Sequence, residues 1–117
     1  MHRNTSGIPV LTYHANNVND NSYAGNDHVA LAEDLQVLHE SGWRAIHLDG
    51  VLAWHAGPLE LQGNQRCYAV TFDDGSDFDF HDIQHPTWGV QRSLVNVLRD
   101  HLVATGEQVQ AASFVIA

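Results

Sequence analysis

The chain has 117 residues, 44% of them hydrophobic, enough for one domain with a modest core. Five arginines, no lysine and fourteen acidic residues give a formal net charge of -9, a field that repels phosphate backbones and anionic lipid headgroups and argues against nucleic-acid and membrane-surface partners. Cys67 is the single cysteine and cannot close an internal disulfide; no run of about 18 apolar residues marks a membrane span and no signal-type apolar region opens the sequence, so a cytoplasmic chain is expected.

Ile8-Pro9-Val10-Leu11-Thr12-Tyr13 reads as a first strand behind a Ser6-Gly7 breaker, and the Asn-, Asp- and Gly-rich segment 16–27 as a long loop. Asp27 is the expected N-cap of a helix running through Ser41, with Val29, Leu31, Leu35 and Leu38 apolar, Glu33 and Asp34 early, and Gly42 just past the end. Residues 43–48 form a second strand and 50–56 a short helix that Gly57-Pro58 ends, followed by a loop through Gln65. Tyr68-Ala69-Val70-Thr71-Phe72 is a third strand that runs into Asp73-Asp74-Gly75. The acidic and aromatic stretch 76–88 reads as loop, and 89–105 as a second helix with Leu94, Val95, Val97, Leu98 and Leu102 on its apolar face and Gly106 as its cap. Residues 111–117 form a fourth strand.

Strands alternating with helices predict an α/β fold with a mainly parallel sheet. A buried strand with no helix after it points to a truncated domain, and an exposed apolar sheet edge of that kind would drive self-association.

Functional residues of α/β sheets gather at the carboxyl edge, where Asp73 and Asp74 fall. Two adjacent carboxylates there favour a cation or a shared proton, because like charges at close range raise one pKa; the plain alternative is an Asp-Gly turn with both groups in water. Tyr13 and His14 end the first strand and are expected at the same edge. His14 is open to bonding with substrate or Asp73, and equally to satisfaction by backbone.

His81-Asp82-Ile83-Gln84-His85 has the spacing that puts two imidazoles on one helical face, but Pro86 follows at once and the stretch reads as loop. With Asp77, Phe78, Asp79, Phe80 and Trp88 it is expected to wall a substrate groove rather than to hold a metal. His39, His47, His55 and His101 have no partner at useful spacing and read as packing or surface residues; Trp43 and Trp54 read as core.

The stretch Val70-Thr71-Phe72-Asp73-Asp74-Gly75 resembles the first motif of the polysaccharide deacetylases with chitooligosaccharide deacetylase (NodB) homology. Ile8 to His14 is similar to the family's opening strand, Glu33-Asp34-Leu35 to Gly42-Trp43 to its first helix and exit, and Ala112-Ser113-Phe114-Val115-Ile116 to the strand after the motif. The resemblance implies the first strands and helices of a distorted (β/α) barrel, hydrolysis of N- or O-acetyl groups of a carbohydrate polymer, and a divalent metal, zinc in the first instance. By position it gives Asp73 the role of general base, Asp74 that of metal ligand and Gly75 that of a tight turn; Tyr13 and His14 at the strand end and Asp77, Asp79, His81 and His85 in the loop are expected to line the site.

The family's second motif, His-Ser/Thr-x-x-His, supplies the other ligands and is absent from these 117 residues, which alone are expected not to turn over. Two further readings compete. A receiver-like signalling module needs a Lys near its phosphoacceptor, which this sequence lacks; the other reading is a non-catalytic carbohydrate-binding or structural remnant of the same fold.

Overall fold

The computed structural model describes residues 8–46, 66–73 and 77–113. In chain order they form β1 (Val10–Tyr13), α1 (Asp27–Glu40), β2 (Trp43–Ala45), β3 (Arg66–Phe72), a one-turn 3-10 helix (Asp77–Asp79), β4 (Ile83–His85), β5 (Gly89–Gln91), α2 (Leu94–Thr105) and β6 (Ala111–Ser113). The expected short helix at 50–56, His47, His55, Trp54, Asp74 and Gly75 lie outside the described residues.

β3 is the centre of the sheet because six of its seven residues are apolar or small enough to be buried on both faces, the pattern of a covered parallel strand. Odd-numbered backbone groups point to β1: the Ala69 N–H donates to Pro9 O (3.0 Å) and the Asp73 N–H to Tyr13 O (3.2 Å). Even-numbered groups point the other way, where Tyr68 O accepts from the Ile46 N–H (2.7 Å). β2 pairs with the first part of β3 and β6 with the last, and all these pairings are parallel. The chain is thus an α/β domain, and no strand among the described residues closes the sheet into a barrel.

The large side chains Tyr68, Val70 and Phe72 pack with Leu31 and Leu35 of α1 and Leu94, Val97 and Leu98 of α2. Cys67, Ala69 and Thr71 occupy the opposite face, and the Thr12 and Thr71 hydroxyls pair there at 2.9 Å. Cys67 is a buried packing residue whose thiol pKa is pushed up by that burial.

α1 starts one residue earlier in its capping than the sequence suggests. Asn26 is the N-cap, its side chain accepting from the His28 and Val29 N–H groups. Asp27 is engaged elsewhere, accepting from the His14 N–H and from Asn17 Nδ2. Ser41 and Gly42, the latter at φ +86, end the helix as expected.

The stretch 77–91 departs most from expectation. It is not a loop leading into a helix at residue 89: β4 and β5 form an antiparallel hairpin, with Ile83 opposite Gln91 and His85 opposite Gly89. Gly89 at φ +82 permits the turn, and His85 Nδ1 accepts from the Thr87 and Trp88 N–H groups to close it.

α2 therefore begins at Leu94, with Ser93 as N-cap accepting from the Asn96 N–H at 3.1 Å. Asp82 ties the hairpin to this helix through the Asn96 side chain (2.9 Å), the Ser93 N–H (2.7 Å) and Arg92 (2.9 Å). The first two bonds lead in drawing its pKa down to about 2. Gly106 ends α2 at φ +78 as expected. Leu94, Val97, Leu98 and His101 form the buried face at helical spacing, whereas Leu102, expected there, falls off it and is 40% exposed. No helix among the described residues is long and apolar enough to cross a membrane.

Candidate functional site

Parallel pairing brings the ends of β1 and β3 to one edge, with Tyr13 in register with Phe72. The two-residue period then separates the side chains. Thr12 and Thr71 share a face, and His14 and Asp73 continue it; Tyr13 and Phe72 point the other way, into the core. Tyr13 is consequently 4% exposed, and its hydroxyl donates to Asp34 Oδ2 of α1 at 2.6 Å, beside a second phenol donor, Tyr23, at 2.7 Å to Oδ1. Burial, then the Asp34 bond and charge, push the Tyr13 pKa far up. It reaches the edge without presenting its side chain there.

His14 and Asp73 do meet. His14 Nε2 lies 3.6 Å from Asp73 Oδ2 and its Nδ1 3.6 Å from Asp27 Oδ2. The side chains of His14 and Asp73 are 49% and 44% exposed, so both are open to a substrate, while Asp27 is fixed by its bonds to the His14 N–H (2.7 Å) and Asn17 (2.6 Å). Carboxylate, imidazole and second carboxylate thus form a cluster at ion-pair distance, just beyond direct hydrogen bonds to the ring. It is not suited to metal binding by itself. The two carboxylates address opposite ring nitrogens, and the described residues bring no trio of ligand atoms containing Asp73 or His14 within 4.8 Å of one another. Asp74 and Gly75, the resemblance's ligand and turn residue, lie outside the described residues.

The other expected lining residues disperse. Asp77 opens the 3-10 turn, Asp79 is fully buried in it, and Phe78 is buried with its ring stacked on His28 at 4.1 Å. His81 is exposed, and His85 belongs to the hairpin turn, so the His81/His85 spacing makes no helical face.

A second cluster escaped the sequence reading, which left His39 and His101 without partners. Glu107 Oε1 lies 3.1 Å from His39 Nδ1 and 2.9 Å from His101 Nε2, while its Oε2 accepts from the Ala45 N–H at 2.9 Å. Burial pushes the Glu107 pKa up, but the bonds from His101, Ala45 and His39 outweigh it and hold the carboxyl below its ordinary range. The buried phenol of Tyr68 has its pKa raised by burial first and by the charge of Glu107 second, and its hydroxyl has no hydrogen-bond partner among the described residues. A groove of about 1070 Å³ runs between α1 and α2; His39 and His101 line it, and Asp73 and His14 do not.

Set beside known proteins, the chain matches no family model, no curated protein and no solved structure, so its functional reading rests on the motif at Asp73 and on the geometry of the two clusters.

Proposed function

We propose that this chain carries the first strands and helices of a distorted (β/α)-barrel hydrolase of the polysaccharide deacetylase type, acting on acetyl groups of a carbohydrate polymer with Asp73 as general base. The observation that supports it is the His14 ring held between Asp73 and Asp27 at the shared carboxyl end of β1 and β3. In this reading Asp73 takes a proton from a water, the oxygen attacks the acetyl carbonyl, and acetate leaves as the sugar amine or hydroxyl takes a proton. Asp27 fixes the His14 backbone through its N–H, and the His14 ring faces the Asp73 carboxylate. A divalent metal such as zinc would supply carbonyl polarisation, with Asp74 as one ligand; the described residues of the edge do not complete its ligand set.

The divergence of those donors also favours a second reading, a non-catalytic carbohydrate-binding remnant of the fold. The experiment is to express the coding sequence as it runs in its gene and to measure metal content and acetate release from N-acetylated chitooligosaccharides. Wild-type protein releasing acetate, Asp74→Ala losing metal, and Asp73→Asn keeping metal but losing turnover are the expected results. Undiminished acetate release by Asp73→Asn removes Asp73 from the reaction, and oligosaccharide binding with no acetate release by any form establishes the remnant.

A further inference from the structure

We propose that His39, His101 and Glu107 form a binding site for a zinc-like divalent cation, with a fourth coordination position facing the groove between α1 and α2. The three donors come from elements far apart in sequence: His39 from the last turn of α1, His101 from α2, and Glu107 from the residue after the Gly106 cap. Their ligand atoms lie within 4.8 Å of one another.

The metric requirement is modest. Ligands about 2.0 Å from a tetrahedral ion stand about 3.3 Å apart. The two imidazole nitrogens stand 3.1 and 2.9 Å from Glu107 Oε1 and within 4.8 Å of each other, so an ion replaces two hydrogen bonds as the two rings close around it. Two imidazoles with one carboxylate are a donor set of the borderline kind that zinc takes, and three protein ligands leave one position for water.

Three features of the surroundings favour a cation. The carboxyl ends of both helices converge there, and each carries partial negative charge. Glu107 is held in place by the Ala45 N–H on its other oxygen, the outer bond that orients a carboxylate ligand. Side-chain exposures of 6% for His101 and 10% for Glu107 keep bulk water off the donors, while 26% for His39 leaves an entry path on the groove side. The site shares no residue with the edge at Asp73, and its existence does not depend on the deacetylase reading.

The test is titration of the purified protein with Co2+ and Zn2+, following the visible absorption of tetrahedral Co2+ and binding calorimetry, for wild type, His39→Ala, His39→Gln, His101→Ala and Asp74→Ala. One equivalent of Co2+ with a tetrahedral spectrum is expected, displaced by Zn2+. The affinity read from the tetrahedral Co2+ signal should fall at least about tenfold in each histidine variant, since even outer-shell changes cost that much, and the signal should persist in Asp74→Ala, which removes only an ion held at the sheet edge. His39→Gln keeps a hydrogen-bonding group toward Glu107 and guards against loss of fold as the explanation. Failure of the folded wild type to take up a stoichiometric ion overturns the site, as does binding that survives in His39→Gln and disappears in Asp74→Ala.

Discussion

At the carboxyl edge of the sheet, one imidazole stands between two carboxylates at 3.6 Å from each; at the helix ends, one carboxylate stands between two imidazoles at 3.1 and 2.9 Å. The chemical groups are the same and their burial is opposite. His14 and Asp73 are about half exposed, a setting in which such a pair is worth roughly 0–1 kcal/mol and both partners remain free to engage something else. Glu107 is almost enclosed, and an enclosed carboxylate must have its oxygens satisfied. It joins α1, α2 and β2 through His39, His101 and the Ala45 N–H. The edge leaves its groups accessible, and the helix-end cluster ties its groups to the protein's own elements.

The contrast is broken most sharply by removing one carboxylate from each. In the gene product assayed for acetate release, Asp73→Asn should lower turnover by about 10²–10⁴, the range of a positioned general base, while its urea midpoint stays where it was. Glu107→Ala should do the reverse. It strands a backbone donor and two imidazoles and should destabilise the fold by about 2–4 kcal/mol in urea unfolding. A comparable stability loss in both variants would erase the distinction.

Acid should separate them in the same direction. The Glu107 pKa in the folded protein lies below its ordinary 4.5, so the unfolded chain binds more protons in that range. The stability it contributes is complete above about pH 4.5 and is lost as pH falls through the lowered folded value. Urea midpoints of wild type and Glu107→Gln should therefore differ at neutral pH and approach each other as the medium is acidified. Asp82, drawn down to about 2 by Asn96 and the Ser93 N–H, adds a second loss that runs further into acid and persists in Glu107→Gln.

How these regions could be read from sequence follows from the range of the interactions that make them. β3 was legible because Tyr68 to Phe72 is an unbroken buried run, and the edge at Asp73 because a parallel strand must end somewhere and polar residues mark the place. α1 and the Gly42 and Gly106 stops were legible from local periodicity and caps. The hairpin was not: Ile83-Gln84-His85 and Gly89-Val90-Gln91 are three-residue strands with little β character, and the turn is closed by a histidine side chain where an Asn-Gly pair would have signalled it. The cap of α1 moved to Asn26 because Asp27 is claimed by His14, a bond across 13 residues that no local rule contains. The helix-end cluster was invisible for the same reason on a larger scale. His39 and Glu107 are 68 residues apart and meet only when both helices lie on the sheet.

The smallest effects should come from within the edge itself, where Asp27 and His14 divide the work of support and access. Asp27→Ala removes the acceptor for the His14 N–H and for Asn17 and leaves those donors to the solvent at a half-buried place, which should cost about 1–2 kcal/mol in urea unfolding. His14→Ala removes an imidazole whose ring is half exposed and lies 3.6 Å from each partner, beyond hydrogen-bond range, while its backbone bond to Asp27 survives; the cost should stay within about 0.5 kcal/mol. If His14 is there to orient Asp73, the same substitution should lower acetate release severalfold in the gene product and narrow the difference that Asp73→Asn makes. A double-mutant cycle of His14→Ala with Asp73→Asn reads this directly, because independent residues give additive losses and a coupled pair does not. Additive losses would return His14 to the role of a strand-end histidine and leave Asp73 to act without it.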